Sequence, residues 1–107
     1  MTQEQAAPVV LINVFTVAPD NQARLVELLS RATTEGVSRA AGFLGADLYR
    51  SLDGTKVTMH ARWRSTADYE AMRRTGGSAD ARREALAIAE FAPGLYELAA
   101  AFTPAAR

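Results

Sequence analysis

The chain has 107 residues, enough for one domain with a single core but near the size at which self-association helps burial. Its 12 basic and 12 acidic residues are interspersed and cancel, which argues against a nucleic-acid or anionic-membrane surface as the main partner. Cysteine is absent and histidine occurs once, so disulfides, thiolate catalysis and Cys- or His-rich metal sites are excluded.

The start, M-T-Q-E-Q-A-A-P, lacks the charged-then-apolar pattern of a signal peptide, and residues 1–8 read as a disordered tail. With no apolar stretch near membrane-spanning length, a soluble cytoplasmic protein is expected. Val9 to Val17 (V-V-L-I-N-V-F-T-V) is a β-branched run of strand length, apolar on both faces except for Asn13 and Thr16. Pro19-Asp20 stops it, with Asp20 as a cap for the next helix. There Leu25, Leu28, Leu29 and Ala32 recur at helical spacing, and Ala41-Gly42 is the expected end. Phe43 to Ser51 reads as a second strand, with Leu44, Ala46 and Leu48 on one face. The turn signal Asp53-Gly54 pairs it antiparallel with Lys56 to Arg64.

Ser65, with Asp68 three residues on, resembles a capping box for a second helix. Gly76-Gly77 interrupts that helix, and Ser78 is placed to cap a further segment carrying Ala81, Ala85, Ile88 and Ala89. Pro93-Gly94 is expected to end this segment, and Leu95 to Phe102 to form the last strand. The order β-α-β-β-α-β is the split arrangement of the α+β, ferredoxin-like fold: one domain over residues 9–103, then a short tail over 104–107. Both helices would cover one face of a four-stranded antiparallel sheet. The apolar open face would pack on a second copy, giving a homodimeric α+β barrel.

The most informative stretch is K-V-T-M-H-A-R-W-R-S-T-A-D-Y-E-A-M, residues 56–72, which carries the only tryptophan, Trp63, to a strand end just before Tyr69. Strand parity puts Val57, Met59, Ala61 and Trp63 on one face and Thr58, His60 and Arg62 on the other. If Trp63 faces the helices, Met59 shares its wall and His60 points to the dimer interface. Asn13, polar in an apolar strand, must be hydrogen-bonded, either at a pocket wall or structurally.

Four segments together resemble the antibiotic biosynthesis monooxygenase family, small dimeric ferredoxin-like proteins. They are L-I-N-V-F-T-V-A-P, A-G-F-L-G-A-D-L-Y-R-S-L-D-G-T-K-V, A-R-W-R-S-T-A-D-Y and F-A-P-G-L-Y-E-L. The resemblance implies Trp63, Tyr69 and Arg83 as catalytic residues. It implies Asn13, Phe15, Met59, Met72 and Arg82 as substrate contacts, with Arg82 also a one-residue alternative to Arg83. A family asparagine falls on Met59, which is a departure. In the haem-degrading branch a strand asparagine matches Asn13, but the axial histidine falls on or beside Arg82, so haem chemistry is not expected.

The implied activity is cofactor-independent monooxygenation, with dioxygen as co-substrate and no metal, of a polycyclic phenolic or anthrone intermediate of aromatic polyketide biosynthesis to a quinone. In that chemistry a deprotonated ring hands an electron to dioxygen while Arg83 holds the anion and Trp63 and Tyr69 donate to oxygen. A polyketide cyclase of the same dimeric fold and a non-catalytic ligand-binding module are the alternatives.

Overall fold

The structure, a computed structural model, describes residues 8–75 and 79–106. The β-branched run forms β1 (Val9–Val17), and the Asp53-Gly54 turn joins β2 (Phe43–Arg50) to β3 (Lys56–Trp63). Gly54 takes φ +84°, a left-handed conformation that costs a residue without a Cβ little. A fourth strand, β4 (Ala89–Tyr96), completes one sheet in the order β2-β3-β1-β4, with every neighbour antiparallel. This is the expected ferredoxin-like α+β fold.

Three helices cover one face of the sheet. α1 (Gln22–Glu35) buries Leu25, Leu28 and Leu29, and α3 (Ala79–Ile88) buries Ala81 and Ala85. α2 (Thr66–Thr75) follows β3 almost directly. There the Ser65 hydroxyl accepts from the Asp68 backbone N–H (3.1 Å) and donates to the Asp68 carboxylate (2.9 Å), so the expected capping residues fix the helix start. The same carboxylate takes two bonds from Arg64 (2.8 and 3.0 Å). Gly42, at φ +85°, lets the chain entering β2 pass against Asp68, where a Cβ would collide. These contacts lock the strand-to-helix corner that carries Trp63.

Several boundaries differ from those expected. Asp20 lies inside a short 3-10 turn (Pro19–Asn21), and no side chain caps α1. α1 ends at Glu35, not at Ala41-Gly42, because a second 3-10 turn (Val37–Arg39) folds Val37 back onto the core. In β2 a bulge between Phe43 and Gly45 leaves Leu44 exposed and turns Phe43, Ala46 and Leu48 towards the helices. The last strand is shifted furthest. Pro93-Gly94 does not end a helix but lies within β4, opposite Asn13 and Ile12. β4 is an edge strand paired only with β1, where a missing N–H is tolerated, and pairing with Phe15 to Val17 outweighs the helical stripe. Residues 97–106 have no regular structure, and Leu98 and Phe102 are 77% and 91% exposed. The Gly76-Gly77 break, the Ser78 cap and almost all of the N-terminal tail lie outside the described residues.

Candidate functional site

Odd-numbered residues of β1 and β3 face the helices, as parity requires, and the core they build is divided in two. One cluster gathers Phe15, Val17, Leu25, Leu28, Leu29, Val57 and Ala85; the other holds Leu11, Ala61, Trp63 and Tyr69. Met59 packs against both. Between sheet and helices lies a cavity of about 100 Å³ lined by Leu11, Asn13, Phe15, Val37, Ala46, Met59, Ala61, Trp63 and Met72. No lining side chain is titratable.

Two polar atoms distinguish this cavity from an ordinary packing void. Asn13 Oδ1, an acceptor, and Trp63 Nε1, a donor, are buried without a hydrogen-bond partner among the described residues. Leaving such a group unpaired costs about 1–3 kcal/mol, so each invites a ligand atom. Trp63 is fully buried, and its ring is held edge-on by Phe43 (centroids 5.4 Å apart) and Tyr69 (5.9 Å). Such pairs add about 0.5–1.5 kcal/mol beyond area burial and fix the ring's direction.

The sequence-predicted residues fall into three groups. Asn13, Phe15, Met59, Trp63 and Met72 come together on the cavity wall. Tyr69 stands behind Trp63 and does not line the cavity. Burial raises its phenol pKa, with Arg73, whose Cζ lies 6.0 Å from the ring centroid, opposing that shift. The Tyr69 ring packs against the far side of the indole from the cavity lining. Arg82 and Arg83 are not brought to the cavity. α3 turns Ala81 and Ala85 inward, which places both arginines on its exposed side. The Arg83 side chain is 76% exposed and pairs with Asp80 at 3.2 Å. Leu11, Val37, Ala46 and Ala61 were missed. Leu11 and Ala61 share the strand parity of Asn13 and Trp63, whereas Val37 depends on a turn read as helix.

A family model described as antibiotic biosynthesis monooxygenase matches residues 8–84. The chain belongs to that family. Over 62 residues it is 42% identical to tetracenomycin-F1 monooxygenase of Streptomyces glaucescens, a match covering 58% of this chain and 55% of that protein. The chain thus spans about half the length of this curated relative. A monooxygenase from the gene ActVA-Orf6 of Streptomyces coelicolor, solved with nanaomycin D, superposes at a TM-score of 0.75. The two are 28% identical, and the match covers 92% of this chain and 94% of that one. SnoaB of Streptomyces nogalater, a cofactor-independent oxygenase, shares the fold at a TM-score of 0.77 and 22% identity, covering 92% and 100%.

Within the antibiotic biosynthesis monooxygenase family, the departure at Met59 acquires a structural context. Asn13 is the direct register partner of Met59 across the β1–β3 ladder, and both line the cavity. An amide absent from β3 therefore stands one strand away at the same level. Among the described residues there is no cluster of three His, Cys, Asp or Glu side chains able to hold a metal, and no helix is long and apolar enough to cross a membrane.

Proposed function

We propose that this chain is a cofactor-independent monooxygenase that oxidises a fused-ring phenolic or anthrone intermediate of aromatic polyketide biosynthesis to a quinone, acting as a cytoplasmic homodimer. The observation that carries this reading is the pair of unpartnered polar atoms, Asn13 Oδ1 and Trp63 Nε1, on two residues that line one apolar cavity. The names of the similar monooxygenases support it.

The overall change at an anthrone methylene is CH₂ + O₂ → C=O + H₂O. The substrate, as its enolate, gives one electron to dioxygen, and the two radicals combine into a carbon-bound peroxide. Protonation of the outer oxygen and loss of the remaining C–H proton break the O–O bond, releasing water and leaving the carbonyl. Trp63 Nε1–H donates to an oxygen on which negative charge develops. The Asn13 amide accepts from a ring hydroxyl through Oδ1 and, turned over, donates to an enolate oxygen through Nδ2. Because the wall carries no base, the first proton leaves by the substrate's own acidity and the protein stabilises the anion with neutral dipoles.

The homodimer rests on the other face of the sheet. Val10, Ile12 and Val14 project there without helices above them, and the apolar Leu98 and Phe102 stand exposed beyond β4. Packing two open faces together would bury all of these groups. Oxygen uptake by chelator-treated protein with anthrone-type substrates tests the activity. Several such substrates consumed no faster than they react spontaneously would sink it.

A further inference from the structure

A second depression lies beside the cavity, between α1 and β2. It measures about 250 Å³ and is lined by Ser30, Thr33, Thr34, Ala46, Asp47, Leu48 and Met59. Ala46 and Met59 line both spaces, so one residue from each of two neighbouring strands separates the cavity from this groove. The lining chemistry changes across that partition. The cavity offers one amide and one indole N–H in an apolar wall, and the groove offers a row of hydroxyls. Ser30 and Thr34 lie one helical turn apart on the same face of α1. The Thr33 hydroxyl donates to the Leu29 carbonyl (2.8 Å) and keeps its acceptor capacity. The Asp47 carboxylate bonds to Arg62 (3.3 Å), a residue of the sheet's open face.

Size decides how the two spaces must be used. A cavity of about 150 Å³ holds a single benzene ring, so about 100 Å³ does not accommodate a fused-ring molecule. Small-molecule sites span about 300–1,000 Å³, a range that neither space reaches alone and that both reach when joined. Of the two residues that border both spaces, Ala46 is small, so the Met59 thioether is the group that has to swing aside to join them. Methionine, with three rotatable bonds and a soft sulfur, does this at low cost.

We propose that the groove is a second subsite of the same ligand site. It takes the hydroxyl- or carbonyl-bearing far ring of a fused-ring substrate, and Met59 is the movable partition between the subsites. The inference rests on the reading of the cavity as an aromatic substrate site, and it adds a preference for ligands oxygenated at the end remote from Trp63.

Fluorescence of Trp63, the only tryptophan, reports occupancy directly. Two probes differ by one hydroxyl on the far ring, at a position where it cannot bond to the quinone carbonyls: 1,4-naphthoquinone and 6-hydroxy-1,4-naphthoquinone. The chain has no cysteine with which either would form a thiol adduct. The hydroxylated probe is expected to bind about three- to tenfold more tightly, the factor one neutral hydrogen bond supplies. In S30A/T34V that advantage is expected to vanish while the affinity for 1,4-naphthoquinone stays the same. Met59→Ala is expected to strengthen binding of the three-ring 1,8-dihydroxyanthraquinone more than that of 1,4-naphthoquinone. Equal effects of S30A/T34V on both naphthoquinones, or no effect on either, would overturn the subsite. Loss of the oxygenase reading with discrimination retained would leave the subsite standing. Oxygen uptake without discrimination would do the reverse.

Discussion

The two faces of this sheet carry the same kind of defect in opposite settings. Under the helices, Asn13 Oδ1 and Trp63 Nε1 are buried and unpaired beside a cavity. On the open face, His60 Nδ1 is buried and unpaired, although no helix covers it. Its register partners are Ile12 on β1 and Asp47 on β2, so the orphan lies at the border between the apolar residues of β1 and the Arg62–Asp47 ion pair. A void beside an orphan donor and acceptor has the polarity of a small-molecule site and, joined to the neighbouring groove, its dimensions. An open sheet face that runs from apolar residues to an orphan imidazole and an ion pair has the character of a protein interface. The covered face is thus expected to need a ligand and the open face a second copy of the chain, and each expectation can be broken separately.

The largest effect is expected from a charge at the centre of the open face. Ile12→Glu would place two carboxylates in a symmetric interface, where the nearby Arg62 guanidinium is already paired with Asp47. The dimer dissociation constant is expected to rise more than about a thousandfold, as several kcal/mol of unpaired charge burial dictates. Analytical ultracentrifugation reads it. A wild-type chain that is monomeric at tens of micromolar would remove the distinction between the faces.

Next comes Trp63→Phe on the covered face, which keeps a ring but removes the N–H. Loss of one donor to a developing oxyanion costs about 100-fold in kcat, and that is the expected fall in oxygen uptake. Lost packing and relief of the orphan donor oppose each other at about 1 kcal/mol each, so the thermal midpoint is expected to stay within about 5 °C. Unchanged turnover would make Trp63 a packing residue like its neighbour Phe43.

A smaller and more discriminating effect is expected from Asn13→Leu. A leucine of similar size satisfies the apolar wall and removes the orphan oxygen. The midpoint is expected to rise by about 4–8 °C, as about 1 kcal/mol gives in a domain of this size, while turnover falls about tenfold. Differential scanning fluorimetry beside oxygen uptake separates the two. A lower midpoint would give Asn13 a structural role instead.

The strand parity of residues 57–63 made much of this contrast legible beforehand. It placed Met59 and Trp63 on one wall and His60 on the other face, because a period of two admits no intermediate orientation. The capping residues Ser65 and Asp68 were equally plain, since local hydrogen bonds define them. The face of α3 was legible as well, since the stripe of Ala81 and Ala85 that turns inward stands in the sequence. Arg82 and Arg83 entered the site through the resemblance and not through that pattern. β4 was misplaced for a non-local reason. Its Pro93-Gly94 pair reads as a breaker in isolation and becomes acceptable only on an edge strand already paired with β1. The Asn13–Met59 pairing likewise needed the ladder register, which no single segment contains.

The smallest expected effect is a control that should touch neither face. In the β2–β3 turn, the Asp53 carboxylate accepts from the Thr55 hydroxyl (2.7 Å), the Thr55 backbone N–H (3.0 Å) and the Ser51 hydroxyl (2.8 Å). These bonds, the Thr55 hydroxyl first, lower its pKa from 3.8 to about 2. The folded chain therefore binds this proton less readily than the unfolded chain. The resulting stability is present above pH 4 and is lost as pH falls from about 4 to about 2. Asp53→Asn is expected to remove that part of the acid sensitivity in urea midpoints measured at pH 5 and pH 2.5. The sensitivity due to Asp68, held low by Arg64 and then Ser65, would remain. At pH 7 the variant is expected to bind ligand and dimerise as the wild type does, because the turn lies at the far end of the hairpin from Trp63. An equal loss of midpoint in both proteins would show that the Asp53 carboxylate contributes nothing to the acid sensitivity. A change in ligand affinity would show that the cavity is coupled to the hairpin tip, and the two faces would then no longer be separable sites on a rigid sheet.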